Sequence, residues 1–288
     1  MTAGTTGAAR IVPPHAPADG RPLWRWRDGG WHQGSVPASP EEAAVAIVID
    51  GASQAVLMAT PHELDDFAFG FALTEGLIAS PADVTGCEIV AVPAGPLNLP
   101  AHEARLWLRP GLSAGLAERR RSMVGPVGCG LCGVDSIAAA LPAVWRSEST
   151  LRLSPGDILA AMAALSAGQR RWRDTPAIHA AALWVPRDTP GRDALVREDV
   201  GRHNALDKLA GAAARAGLDA RRACVAMTSR LSVDLVQKTA RMGAPVLMGA
   251  GVPTRLAIAW AEAAGVTLIG RARGDSFDVF THPHRIQD

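Results

Sequence analysis

The sequence predicts an α/β protein in two parts, a small α+β unit followed by a larger layered α/β domain. The first observation is an apolar helical pattern flanked by short strand-like runs between residues 39 and 121. The second is a regular alternation after residue 151, in the order α-β-β-α-β-α-β-α-β. Such alternation predicts helices packed over a largely parallel sheet.

The composition of the chain limits the classes of protein to which it could belong. The chain has 288 residues, 48% of them hydrophobic, which is enough for a sizeable core. Its formal net charge of +1 gives no reason to expect a nucleic acid or a membrane as partner. The most apolar stretch, 252–270, contains Arg255 and Glu262 and does not suit a membrane span.

The N-terminal segment is expected to be flexible. Residues 1–20 are rich in Thr, Ala, Gly and Pro and lack the basic start and apolar run of a signal peptide. We therefore expect a soluble protein in the reducing cytoplasm. Three tryptophans indicate that the chain becomes ordered soon afterwards, by docking or as a first strand: Trp24, Trp26 and Trp31.

The chain is divided into four predicted parts: a flexible segment 1–38, the small α+β unit 39–121, a cysteine loop and linker 122–150, and the α/β domain 151–288. In the small unit, 43–50 is predicted as a strand that ends in the turn Asp50-Gly51. The sequence Thr-Pro-His-Glu at 60–63 predicts a capping box and a helix to about residue 75. Short strands are predicted at 88–92 and 104–108.

The larger domain is predicted to begin with a helix capped by Ser154. Strands are predicted at 178–185, 194–198, 224–228, 245–248 and 266–269, and the later helices at about 203–216, 232–242 and 254–264. Cys87 and Cys224 each adjoin apolar residues, and we interpret both as core residues.

Two further cysteines form a Cys-Gly-Leu-Cys motif. Cys129 and Cys132 are surrounded by glycines, and three arginines at 119–121 precede them. Nearby positive charge lowers a thiol pKa, and glycine permits a reaching loop, so a reactive thiol is one interpretation. Half of a zinc site is the other interpretation.

The densest polar cluster, 198–208, lies at a predicted strand-to-helix turn, where open α/β sheets bind ligands. An anion could be held at the helix start by Arg202, His203 and Asn204. Asp199 could accept a hydrogen bond from a base or a sugar. The alternative is a well-capped helix with i,i+4 pairs. The residues 228–232 form a second polar turn, whose hydroxyls could be caps only.

A third polar turn follows the last predicted strand. Its arginines suit phosphate and its carboxylate suits a guanine edge, although a plain hairpin loop would explain it too. The residues concerned are Arg271, Ala272, Arg273, Gly274, Asp275 and Ser276. Zinc deaminase chemistry is disfavoured, because no histidine is followed two residues later by glutamate. The glycines disfavour a thioredoxin-type helix start, and no G-x-S-x-G elbow is present.

Together these motifs resemble the formate dehydrogenase accessory sulfurtransferases, the FdhD family of sulfur carriers. The matching segments cover nearly the whole chain after about residue 35. They are EEAAVAIVIDG at 41–51, TPHELDDFAFGFALTEGLI at 60–78, CGLCG at 129–133, EDVGRHNALDK at 198–208, TSRLS at 228–232 and VFTHPHRI at 279–286. The combination of CGxCG with DVGRHNA is specific.

The resemblance implies a larger domain like cytidine deaminase, a homodimer and a persulfide carrier with sulfurtransferase-type chemistry. Cys129 would carry sulfur from a cysteine desulfurase, with Cys132 as its partner. The acceptor would be the molybdenum or tungsten bis-molybdopterin guanine dinucleotide cofactor, before its insertion into apo-formate dehydrogenase. Cofactor binding maps to 271–276, GDP-like nucleotides are expected to bind, and no intrinsic metal is expected.

One departure from the family lies before His179, where Thr-Pro-Ala-Ile stands at 175–178 in place of a frequent Thr-Gly-Gly. The competing class is a cofactor-binding chaperone for formate dehydrogenase whose CxxC holds a structural metal. Metal analysis and thiol alkylation would distinguish that protein from a persulfide carrier.

Overall fold

The computed structural model describes residues 23–34, 39–95, 99–112, 143–186 and 194–287. Cys129 and Cys132 lie outside the described residues, as do the arginines at 119–121. In the described ranges the chain forms a two-stranded, a four-stranded and a six-stranded sheet. None of the helices found there is long and apolar enough to cross a membrane.

The first sheet is an antiparallel hairpin of β1 (Leu23–Arg27) and β2 (Gly30–Gly34). Asp28 and Gly29 both have positive φ, which matches the right-handed strand twist. Trp26 faces Trp31 across the strands with ring centroids 5.3 Å apart. The tryptophans therefore do mark a strand, within the segment 1–38 that was expected to be flexible.

The small unit is a four-stranded sheet covered on one face by a helix. The strands are β3 (Ala43–Ile49), β4 (Ala52–Ala59), β5 (Val84–Ala94) and β6 (Leu99–Leu108), in the order β4-β3-β6-β5. The strand β4 is not among the predicted strands; it pairs with β3 through the Asp50-Gly51 turn. The prediction for Cys87 is wrong: its side chain is exposed on β5, an edge strand of this sheet.

The helix α1 (Leu64–Thr74) places Phe67 and Phe71 in the buried apolar cluster that covers one face of this sheet. The predicted capping box is wrong, because Glu63 is the N-cap residue and adopts a left-handed conformation with no side-chain cap. Thr60 instead turns toward the larger domain, where its hydroxyl accepts from the Val200 amide at 3.1 Å. Thr60, which the sequence pattern predicts to cap a helix, thus forms a hydrogen bond between the two units instead.

The larger domain is built on the sheet β12-β11-β10-β9-β7-β8. Its strands are β7 (His179–Trp184), β8 (Leu195–Asp199), β9 (Cys224–Met227), β10 (Val246–Gly249), β11 (Thr267–Arg273) and β12 (Ser276–Val279). The prediction of a largely parallel sheet is wrong. Only the β9–β10 and β10–β11 pairings are parallel, because β7 and β12 run opposite to the other four strands.

Helices cover both faces of this sheet. On one face lies α2 (Pro155–Gly168), whose Ser154 and Asp157 form the predicted capping box. On the other lie α4 (Arg202–Arg215), α5 (Val233–Arg241) and α6 (Arg255–Ala264), while the short α3 (Arg170–Asp174) follows α2. The α/β class is confirmed, and Cys224 is buried as predicted. The likeness to cytidine deaminase and the domain boundaries at 121 and 151 stay predictions.

The small unit sits on the larger domain through α1, which packs directly against α4. Charged residues surround this contact. Asp66 of α1 binds Arg197 with a 2.8 Å hydrogen bond and also contacts Arg215. A further contact joins Asn204, near the start of α4, to the Met58 carbonyl near the end of β4. The end of β4 therefore lies beside the polar motif at 198–208.

Candidate functional site

A cavity of about 500 Å³ opens at the carboxyl ends of β9 and β10. The antiparallel β7 begins at the same edge, so His179 lies beside Thr228. Ligands of open α/β sheets bind at this edge. The lining residues are Met162, Leu165, Ser166, Gln169, Trp172, Pro176, Ala177, Ile178, His179, Thr228, Ala250 and Arg273.

His179 is a half-buried titratable residue that lines this cavity. Its Nδ1 lies 3.4 Å from the Thr228 hydroxyl, which also accepts from the Ala180 amide at 3.0 Å. Burial lowers the pKa of His179, and the charges of Arg202 and His203 lower it further, against the opposing effect of Asp199. At neutral pH the imidazole is therefore neutral, with one ring nitrogen that donates and one that accepts.

Arg273 is an exposed residue that lines the same cavity. Its Nε donates to the Ala250 carbonyl at 3.0 Å, which holds the exposed guanidinium at the cavity wall. Arg271 does not line the cavity; its side chain pairs with Asp278 of β12, and this contact raises its pKa. Of the two arginines predicted to bind phosphate, the structure brings only Arg273 to the site.

The prediction that 271–276 is a loop after the last strand is wrong, because most of the segment belongs to two strands. Arg271 to Arg273 belong to β11, Gly274 has φ 62° in the turn, and Ser276 begins β12. The side chain of Ala272 is buried in the sheet core. Asp275 is exposed at the turn. Direct cofactor contacts by Ala272, Gly274, Asp275 and Ser276 stay predictions.

Asp199 is fully buried and its carboxylate accepts four hydrogen bonds from the protein. One oxygen accepts from the amide of Gly201 at 2.8 Å and from Asn204 Nδ2 at 3.0 Å. The other accepts from the amide of Thr60 at 3.0 Å and from Lys208 Nζ at 2.7 Å. These donors occupy the lone pairs that a base or sugar would need, so the structure gives Asp199 a role in joining the two units.

Asn204 and Lys208 extend the same network. Asn204 Nδ2 also donates to the Met58 carbonyl at 2.9 Å, and Lys208 Nζ donates to the Thr60 carbonyl at 2.8 Å. Burial lowers the pKa of Lys208, and the Asp199 carboxylate opposes that shift. The motif therefore builds the junction with the small unit rather than the i,i+4 pairs considered for an isolated helix.

Arg202 and His203 follow shortly after Asp199, the strand partner of His179, and their charges lower the pKa of His179. The Nε of Arg202 is buried and finds no hydrogen-bond partner among the described residues. His203 contacts Asp234, and this contact lowers the pKa of Asp234 although burial acts in the opposite direction. Arg202 thus offers a donor beside the site, whereas His203 is engaged with α5.

Gln169 and Trp172 are cavity residues that the sequence analysis missed. Neither lies in a polar motif, and only the fold brings the end of α2 over the edge of the sheet. In the residues that the structure describes, no group of three or more His, Cys, Asp or Glu is arranged to hold a metal.

The fold and the site define a class: a two-unit α/β protein with a partly cationic pocket at the carboxyl edge of its larger sheet. The chain belongs to the FdhD/NarQ family, whose model matches residues 40–287. The family membership that the motifs indicate is therefore confirmed.

Curated relatives agree with the family match. A protein of Agrobacterium fabrum named sulfur carrier protein FdhD is 47% identical, with 86% of this chain and 89% of the relative covered. One of Cupriavidus necator with the same name is 43% identical, with 89% of this chain and 88% of the relative covered.

A solved structure shows the same fold. It is the crystal structure of a Desulfotalea psychrophila protein described as a formate dehydrogenase accessory protein. The two folds superpose with a TM-score of 0.70 at 22% identity, covering 93% of this chain and 98% of that one.

Proposed function

We propose that this protein is a sulfur carrier for the maturation of formate dehydrogenase. It accepts sulfur from a cysteine desulfurase and delivers it to the molybdenum or tungsten bis-molybdopterin guanine dinucleotide cofactor. The observation that carries the proposal is the family match over residues 40–287, within which Cys129 and Cys132 lie. The relatives named sulfur carrier protein FdhD support it.

The loading step is a thiol–persulfide exchange. The Cys129 thiolate attacks the outer sulfur of the donor persulfide, so a new S–S bond forms on Cys129 as the donor S–S bond breaks. The donor cysteine leaves as a thiolate, and the exchange needs no other oxidant or reductant. Arginines at 119–121 precede the motif, and positive charge favours the attacking thiolate.

The pocket at the sheet edge is the proposed binding site for the nucleotide end of the acceptor. Arg273 supplies positive charge, as does Arg202, whose Nε has no hydrogen-bond partner in the described part of the chain. Thr228 and neutral His179 supply hydrogen-bonding groups. Guanidinium groups bind phosphates with charge-assisted hydrogen bonds. The remaining partners that we propose are apo-formate dehydrogenase and a second copy of this chain, in the cytoplasm.

The test is mass spectrometry of the full chain after incubation with a cysteine desulfurase and cysteine. We expect the wild type to gain the mass of one sulfur and Cys129→Ala to gain none. Cys87→Ala is the matched control and should load normally, because Cys87 lies on the outer edge strand of the small unit. Unchanged loading of Cys129→Ala would refute the assignment. Stoichiometric zinc together with no sulfur gain by the wild type would favour the chaperone.

A further inference from the structure

Trp172 is a large aromatic side chain placed at the cavity rather than in a core. It is 45% exposed, and it belongs to none of the three buried apolar clusters of the described residues. It nevertheless lines the cavity together with Gln169, His179 and Arg273. An exposed tryptophan ring beside a cavity offers a flat surface on which another ring can stack.

The backbone that carries Trp172 is held by Glu198. This carboxylate is 6% exposed, and its two oxygens accept from the amides of Arg171 at 2.8 Å and of Trp172 at 3.0 Å. Arg171 is fixed in turn, because its Nη2 donates to Glu63 of the small unit at 3.0 Å. The ring is therefore attached to a preorganised backbone, which reduces the ordering needed on binding.

The cavity also contains the second group that a nucleotide needs. Arg273 is anchored by its bond to the Ala250 carbonyl and is exposed at the same cavity as Trp172. An aromatic face suits the base of a nucleotide, and a guanidinium suits its phosphates. The volume of about 500 Å³ is within the range of pockets that hold one drug-sized ligand, so it suits one nucleotide end of a larger cofactor.

We propose that Trp172 is a base-binding residue of this pocket, against which the guanine base of the acceptor stacks. The inference rests on the proposed function, since it assumes that the pocket binds a guanine nucleotide. It adds that binding of the base depends on stacking against Trp172, a residue outside the polar motifs of the chain, while Arg273 binds the phosphates.

The experiment is calorimetric titration of the full chain with GDP and with pyrophosphate, which carries the phosphates without the base. We expect Trp172→Ala to bind GDP about 5-fold or more weakly, the lower end of base–aromatic stacking, and pyrophosphate as the wild type does. Trp172→Phe should retain most of the affinity for GDP. The matched control is Trp107→Ala, which removes a 40% exposed tryptophan of β6 and should leave GDP binding unchanged.

Fluorescence provides a second measurement. GDP should quench the tryptophan emission of the wild type more than that of Trp172→Phe, because a stacked base contacts the indole directly. If the wild type binds GDP and Trp172→Ala binds it equally well, the stacking proposal is wrong and the proposed function stands. An equal loss of GDP and pyrophosphate binding would also overturn stacking. If the wild type does not bind GDP, the assignment of this pocket to the nucleotide is wrong, and the stacking proposal is wrong with it.

Discussion

Gly70 of α1 and Gly211 of α4 meet backbone to backbone where the two helices cross. A Cβ atom built on Gly70 would lie 1.6 Å from the Asp207 carbonyl oxygen, and one on Gly211 would lie 1.9 Å from that of Asp66. Both obstacles are main-chain atoms, which cannot move aside as a side chain could. The close approach of the small unit and the larger domain therefore depends on hydrogen as the side chain at both positions.

Alanine at either of these glycines should destabilise the protein. We expect Gly70→Ala and Gly211→Ala each to lower the free energy of unfolding by about 3 kcal/mol, the upper part of the range for overpacking, as measured in urea. Gly156→Ala is the control, since its Cβ would have only an ordinary 3.6 Å contact with Ser154. A loss as small as that of the control would contradict the rigid crossing.

Asp199 and Lys208 form a fully buried pair, and removing one partner leaves a buried charge. Asp199→Asn should lower the free energy of unfolding by about 3–5 kcal/mol, because Lys208 then loses its carboxylate without access to water. Asp219→Asn is the comparison. Its partner is the exposed Arg221, and we expect no measurable change. Similar stabilities of the two variants would contradict a structural role for Asp199.

The only lysines of the chain, Lys208 and Lys238, are both buried and both bind the small unit. Lys238 Nζ donates to Asp207 at 2.8 Å and to Glu75 at 2.8 Å. Burial lowers the pKa of Lys238, but these carboxylates outweigh burial and the net shift is upward.

We therefore expect an amine-reactive ester to leave both lysines unmodified in the native protein and to modify them in urea, as read by peptide mass spectrometry. Gly211→Ala should increase labelling under native conditions, since it disturbs the contact that covers them. Rapid native labelling of either lysine in the wild type would show that the junction opens readily.

His179 should make stability depend on pH. Its pKa in the folded protein is lowered, so below about pH 6.5 the unfolded chain takes up a proton that the folded protein resists. Above that pH the imidazole is neutral in both states, so its titration does not change the free energy of unfolding. Below that pH the wild type loses stability as the pH falls. His179→Gln should lose less stability between about pH 7.5 and about pH 5 in urea unfolding. Parallel losses for the two proteins would mean that His179 is not the group responsible.

The two arginines of β11 should differ in GDP binding. Arg273→Ala should weaken binding roughly tenfold, the effect of one charge-assisted hydrogen bond. Arg271→Ala should leave binding unchanged, because Arg271 pairs with Asp278 and does not line the cavity. Calorimetry distinguishes the two, and the reverse ranking would place the phosphates at the β11–β12 turn.

Local sequence patterns predicted most helices and strands of the larger domain. Ser154 with Asp157 marked the start of α2, and the apolar periodicity of the later helices placed α4 and α6 within a residue or two. These features depend on contacts within a few residues of one another, which a sequence displays directly. The same kind of pattern failed at Thr60, whose hydroxyl reaches Val200 instead of capping α1.

The sequence by itself determined the family and the α/β class of this protein, and it displays the Cys-Gly-Leu-Cys motif directly. Only the tertiary structure decided that Asp199 and Asn204 join the two units, that Arg273 rather than Arg271 reaches the cavity, and that Trp172 stands beside it. The physical reason is distance along the chain: Thr60 and Asp199 are 139 residues apart, and no local pattern records a hydrogen bond between them.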